Sequence, residues 1–105
     1  MIIDDDTLSR RIIEEFIQKT DGLDLISSTG DPVEAINILK KHDEIHLIFL
    51  DIEMPEMDGL EATRQIRANR PDIPIIGMTA HGDSESLDAC TSSGMNRVIR
   101  KPIRR

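Results

Sequence analysis

Tryptophan and tyrosine are absent, and phenylalanine occurs twice. Proteins that grip bases or sugars commonly do so on aromatic faces, so no stacking platform for either is expected. Cysteine occurs once, at Cys90, which rules out an internal disulfide and suits a reducing compartment. No apolar run approaches the ~18 residues that cross a bilayer. The opening Met1-Ile2-Ile3-Asp4-Asp5-Asp6 lacks the basic flank and apolar stretch of a signal peptide. Basic charge is also scarce: 13 Lys and Arg stand against 20 Asp and Glu, a net of −7. A phosphate backbone needs a basic face, so no direct nucleic-acid partner is expected. A divalent cation or a basic protein partner is compatible with this charge. No repeat, linker or low-complexity tract divides the chain. Its 105 residues suit one domain that buries roughly two-thirds of its unfolded surface. The expectation is a single domain over residues 1–105, cytoplasmic and without a membrane partner.

What is present is organised around Ile45 to Gly59. The apolar run Leu47 to Leu50 ends abruptly in Asp51, and Met54-Pro55 and Asp58-Gly59 follow as turn chemistry. A short apolar run bounded by turns is the pattern of a strand buried on both faces. Asp51 then sits at the carboxyl end of a central strand, near solvent on a rigid support. Before it, Met1 to Ile3 reads as a strand. Leu8, Ile12 and Phe16, with Ile13 and Ile17, recur at helical spacing, which predicts a helix over Thr7 to Lys19. Leu23 to Ser27 reads as a weak strand. Asp31-Pro32-Val33-Glu34 is a helix start, with a cap acceptor and a proline at the first position. After Asp51, helices are predicted over Leu60 to Ala68 and Asp83 to Ser92, the second with Leu87 and Cys90 inward. Strands are predicted over Ile73 to Thr79 and Asn96 to Ile99. Strands alternating with helices make an α/β fold, a parallel sheet with helices on both faces.

Four strand ends then carry polar groups: Asp4-Asp5, Asp51, Thr79 and Lys101. Open α/β sheets bind ligands beyond the carboxyl ends of their strands. Where three carboxylates meet there, each close pair repels by about 4 kcal/mol at an effective dielectric near 20. A cation relieves that, and all-oxygen ligands favour Mg²⁺, which keeps waters and leaves room for a phosphate oxygen. A carboxylate can act as nucleophile toward a phosphoryl group, and phosphoryl transfer asks mainly for charge neutralisation and alignment. Lys101 supplies charge, the Thr79 hydroxyl can donate to a phosphoryl oxygen, and the small Gly59 and Ala80 keep the approach open.

The ordered set Asp4-Asp5, Asp51 followed by Met54-Pro55-Glu56-Met57-Asp58-Gly59, Thr79-Ala80 and Lys101-Pro102 resembles the receiver domain of two-component response regulators, of the chemotaxis-regulator type. The resemblance runs from Ile2 to Ile103. It implies a doubly wound, flavodoxin-like three-layer sandwich with five parallel strands in the order 2-1-3-4-5. It implies that Asp51 accepts a phosphoryl group from a histidine kinase or histidine phosphotransfer protein, with Mg²⁺ as cofactor. Asp4 and Asp5 form the acidic pocket; Asp4, Asp5, Asp51 and the Glu53 backbone carbonyl are the implied Mg²⁺ ligands. Thr79 is the implied switch hydroxyl, and Lys101 the ion-pair partner of the phosphate, ahead of a cis bond to Pro102. The surface from Thr79 to Ser92 shifts in response. Such a domain is a regulatory phosphoacceptor that assists its own phosphorylation and dephosphorylation, not an enzyme with a separate substrate. The stretch Phe16 to Met57 is also similar to receivers joined to LytTR-type DNA-binding outputs, and the second half to receivers of hybrid histidine kinases.

Two departures stand out. Val98 occupies the place of an aromatic whose rotation usually reports phosphorylation. After Lys101 only Pro102-Ile103-Arg104-Arg105 remain, where receivers continue into a fifth helix. A missing or truncated fifth helix leaves a flank that a homodimer or an exchange of segments would cover. The alternative reading is a phosphorylation-independent interaction module with a receiver fold. A flavodoxin-type flavin protein would want a Ser/Thr/Gly phosphate loop where this chain has Asp4-Asp5-Asp6. A haloacid-dehalogenase-type phosphatase would want aspartate where Glu53 stands. His42, His46 and His81 share no metal-ligand spacing; His81 is placed at the pocket rim.

Overall fold

The computed structural model describes residues 1–55, 57–80 and 84–101, with backbone alone at 84–86. Among these residues, β1 (Ile2–Ile3), β2 (Ser28–Thr29), β3 (Ile48–Asp51), β4 (Ile75–Thr79) and β5 (Arg97–Arg100) form one parallel sheet in the order β2-β1-β3-β4-β5. The helices are α1 (Thr7–Gln18), α2 (Pro32–Lys41), α3 (Gly59–Asn69) and α4 (Ser84–Ser93). Three of the helices begin where an aspartate satisfies an otherwise orphan amide. Asp6 accepts from Leu8 N, Asp31 from Val33 N and Asp58 from Glu61 N, at 3.1, 2.9 and 2.9 Å. Gly94 follows α4 at φ +116°, a conformation that L side chains rarely adopt.

Successive strand residues point to opposite faces, and the core divides accordingly. Ile3, Ile48, Leu50 and Ile75 pack with Ala35, Ile36 and Leu39 of α2, Ala62 and Ile66 of α3, and Cys90 of α4. Ile2 and Met78 face the other way, onto Ile13 and Ile17 of α1. The layers are therefore α2, α3 and α4 on one face and α1 on the other. Parallel register aligns the strand ends: Ile3 lies beside Leu50, Asp51 beside Met78, and Thr79 beside Arg100. Asp4, Asp51, Thr79 and Lys101 thus leave the sheet at one rim.

Some expectations shift. The strand expected over Leu23 to Ser27 is found at Ser28–Thr29. Leu23 and Leu25 instead lie half-buried against the α1-side cluster, so their alternation reflects packing without a ladder. Leu8 and Phe16 are exposed, as is Leu87; the inner face of α1 is Ile13 and Ile17, and of α4 Cys90. The expectation of a missing or truncated fifth helix, with the self-association argued from it, concerns residues 102–105, outside those described. The same holds for a cis bond at Pro102 and for His81. No helix among the described residues is long and apolar enough to cross a membrane.

Candidate functional site

The rim is assembled from chain reversals at the strand ends. β1 stops after two residues, because the chain must turn at Asp4 to begin α1. Asp4 is fully buried, yet each part of it is held. Asp6 N donates to Oδ1 at 2.9 Å, Lys101 Nζ donates to Oδ2 at 2.8 Å, and Arg10 Nη1 donates to the main-chain oxygen at 3.0 Å. Asp5, next in the chain, is exposed. Asp51 ends β3 at 3 % exposure. Its Oδ1 accepts from Glu53 N at 3.3 Å and lies 3.3 Å from Lys101 Nζ. Asp4, Asp5 and Asp51 each place a carboxylate oxygen so that the three lie within 4.8 Å of one another.

Three carboxylates against one ammonium leave the pocket short of positive charge. The consequence is visible at Asp51, whose carboxyl is pushed up to about 7. Burial is the main cause and the Asp4 charge the next; Lys101 opposes both without cancelling them. Burial pulls the Lys101 ammonium down, but its bonds to Asp4 and Asp51 outweigh that and hold it above its usual value. The donor set suits a hard divalent cation: all oxygen, clustered, partly open through Asp5, and under-neutralised without one.

The segment after β3 folds back on this pocket. Gly59 N donates to Ile52 O at 2.8 Å. A Cβ on Gly59 would lie 2.7 Å from Ile52 Cα and 2.9 Å from Asp51 O. The small residue at 59 therefore serves the closeness of this turn. Thr79 ends β4 at 2 % exposure. Its Oγ1 donates to Glu53 Oε1 at 2.6 Å, and its main-chain oxygen accepts from Lys101 N at 2.7 Å. That last bond ties the ammonium-bearing residue to the hydroxyl-bearing strand. Val98, half-buried, packs against the α2–α4 side of the core.

Asp4, Asp5, Asp51, Glu53, Thr79 and Lys101 therefore meet at one rim. Two contacts had no sequence signal of comparable strength. Arg10, one turn into α1, reaches back to Asp4. The Glu53 side chain, and not only its backbone, belongs to the site.

Comparison with known proteins gives a consistent result. The family described as response regulator receiver domain matches residues 1–105. The chain is 33% identical over 105 residues to a chemotaxis protein CheY homolog of Campylobacter jejuni, covering 98% of this chain and 80% of that one. It is 37% identical over 107 residues to the transcription factor SKN7 of Chaetomium thermophilum, covering 100% of this chain but only 14% of that protein's length. Among solved structures, it is similar to the receiver domain of the sensor histidine kinase PA1611 of Pseudomonas aeruginosa, solved with a magnesium ion coordinated in its active-site cleft. The TM-score is 0.84 at 28% identity, over 98% of this chain and 84% of that one.

Proposed function

The chain belongs to the response regulator receiver domain family, and from that premise we propose that it is a phosphorylation-dependent switch whose phosphoacceptor is Asp51. The family is a regulatory component of two-component phosphorelays, not a conventional enzyme. Residues 1–105 are read as one receiver unit. The observation that carries the reading is the meeting of Asp4, Asp5 and Asp51 within 4.8 Å, with Lys101 bonded to Asp4 and close to Asp51.

In this reading a histidine kinase or histidine phosphotransfer protein presents a phosphoimidazole to the rim. An Oδ of Asp51 attacks phosphorus, the P–N bond breaks with its electron pair passing to the imidazole, and an acyl phosphate remains on Asp51. Asp51 must be ionised to attack, and Lys101, 3.3 Å away, favours that form. Lys101 also faces the phosphoryl charge as it arrives. The residues that would hold Mg²⁺ are Asp4, Asp5, Asp51 and the main-chain carbonyl of Glu53; the bound ion supplies positive charge to the phosphoryl oxygens. The solved PA1611 receiver, with magnesium in its cleft, supports this assignment. Thr79 would donate its hydroxyl to a phosphoryl oxygen and couple the new charge to the end of β4.

Intact mass after treatment with acetyl phosphate and Mg²⁺ tests the reading. One phosphate is expected on the wild type, acid-stable and base-labile, and none on Asp51→Asn or with EDTA present. No addition to the wild type, with no spectral change under beryllofluoride and Mg²⁺, would favour the phosphorylation-independent module.

A further inference from the structure

The hydroxyl assigned to the phosphoryl group is already engaged. Thr79 Oγ1 donates to Glu53 Oε1 at 2.6 Å. The donor is buried at 2 % exposure, and the acceptor belongs to an exposed residue on the loop that leaves β3. Glu53 is itself fixed at its backbone, where its N–H donates to Asp51 Oδ1 at 3.3 Å. A hydroxyl bonded to an ionised carboxylate is among the stronger hydrogen bonds available to a side chain. A hydroxyl also carries one hydrogen, so it serves one strong acceptor at a time. A phosphoryl group on Asp51 would add about −1.5 to −2 charge and three acceptor oxygens two residues from Glu53. The Glu53 carboxylate and the phosphoryl group then compete for the same hydrogen and repel each other.

We propose that the Glu53 side chain is a positioning residue that holds the Thr79 hydroxyl in the resting state, so that activation is an exchange of that hydroxyl from Glu53 to the group on Asp51. This rests on the phosphoacceptor reading and adds the regulation of that site. Val98, half-buried and aliphatic, offers no ring whose rotation could follow Thr79. The consequence of the exchange is instead release of the Glu53 carboxylate. The segment from Ile52 to Pro55, which carries Glu53, is therefore part of the surface that changes.

The test titrates beryllofluoride, with saturating Mg²⁺, into wild type, Glu53→Ala, Glu53→Gln, Thr79→Ala, Thr79→Ser and the double variant Glu53→Ala/Thr79→Ala, followed by amide resonances. Glu53→Ala is expected to lower the half-saturating concentration about tenfold, the scale of one charged hydrogen bond partly screened by solvent. Glu53→Gln, which keeps an oxygen acceptor, returns most of the way to wild type. In the Thr79→Ala background Glu53→Ala has no further effect, whereas Thr79→Ser preserves its effect. A wild-type half-saturation in Glu53→Ala overturns the proposal. So does an equal gain with and without Thr79, which would mean that Glu53 acts by charge alone. Either result leaves the phosphoacceptor reading standing. A wild type that does not respond to beryllofluoride and Mg²⁺ removes that reading, and this proposal with it.

Discussion

Three carboxylates crowd the β1–β3 half of the rim, whereas the β4–β5 half carries one hydroxyl and one ammonium. The two halves obey opposite rules. On the first, like charges are held closer than they would choose, and Asp51 responds by holding its proton up to about 7. On the second, the groups are drawn toward partners across the sheet: Lys101 toward Asp4 and Asp51, Thr79 toward Glu53. The difference separates two tasks. In the proposed function the acidic half is a deficit of positive charge for a cation to fill, and the other half detects the phosphoryl group that joins it.

If the halves differ in this way, removing charge from each should change stability in opposite directions. The largest effect belongs to Lys101. Lys101→Ala strips Asp4, which is fully buried, of its ion pair, and breaking a buried pair costs about 3 kcal/mol. Urea unfolding at pH 7 without metal should show that loss; an unchanged midpoint would mean that the pair is idle. Next comes the turn that joins the halves. Gly59→Ala puts a methyl against Ile52 and Asp51 backbone atoms and should cost about 2 kcal/mol, with slower phosphate uptake from acetyl phosphate. Asp51→Asn carries the opposite sign. It relieves crowding, and in the metal-free protein at pH 8 it should stabilise by about 1 kcal/mol.

The pH dependence sharpens the same contrast. A carboxyl whose folded pKa lies near 7, above its ordinary 3.8, binds more protons folded than unfolded. Its favourable contribution is complete below about 4 and is lost as pH rises through about 7. Without metal, the difference in stability between wild type and Asp51→Asn should therefore be small at pH 4 and should move steadily against wild type up to pH 8. A difference that is flat across that window would contradict the crowding described for Asp51.

Much of this arrangement is legible in the residues themselves. Leu47 to Leu50 closing in Asp51, and Ile73 to Thr79 closing in a hydroxyl, are patterns in which apolar burial and a polar end report one thing, a strand meeting its rim. Asp31-Pro32 announces α2 because cap and proline chemistry are local. β2 lies beyond its expected place because Leu23, Asp24 and Leu25 alternate like a strand while packing as a loop. The ladder forms only where β1, itself two residues long, can reach it at Ser28 and Thr29. Leu8, Phe16 and Leu87 keep helical spacing yet lie exposed, because spacing does not say how much of a helix its neighbours cover. The bond between Glu53 and Thr79 spans 26 positions and depends on one rotamer of an exposed acid. Nothing local encodes it.

Phosphate is expected on one carboxylate among three close neighbours. Reduction of the acetyl phosphate-treated protein with borohydride converts an aspartyl phosphate to homoserine, and peptide sequencing locates it. Homoserine at position 51, with aspartate retained at positions 4 and 5, is the predicted result. Homoserine at position 4 or 5, or at none of the three, would contradict the account.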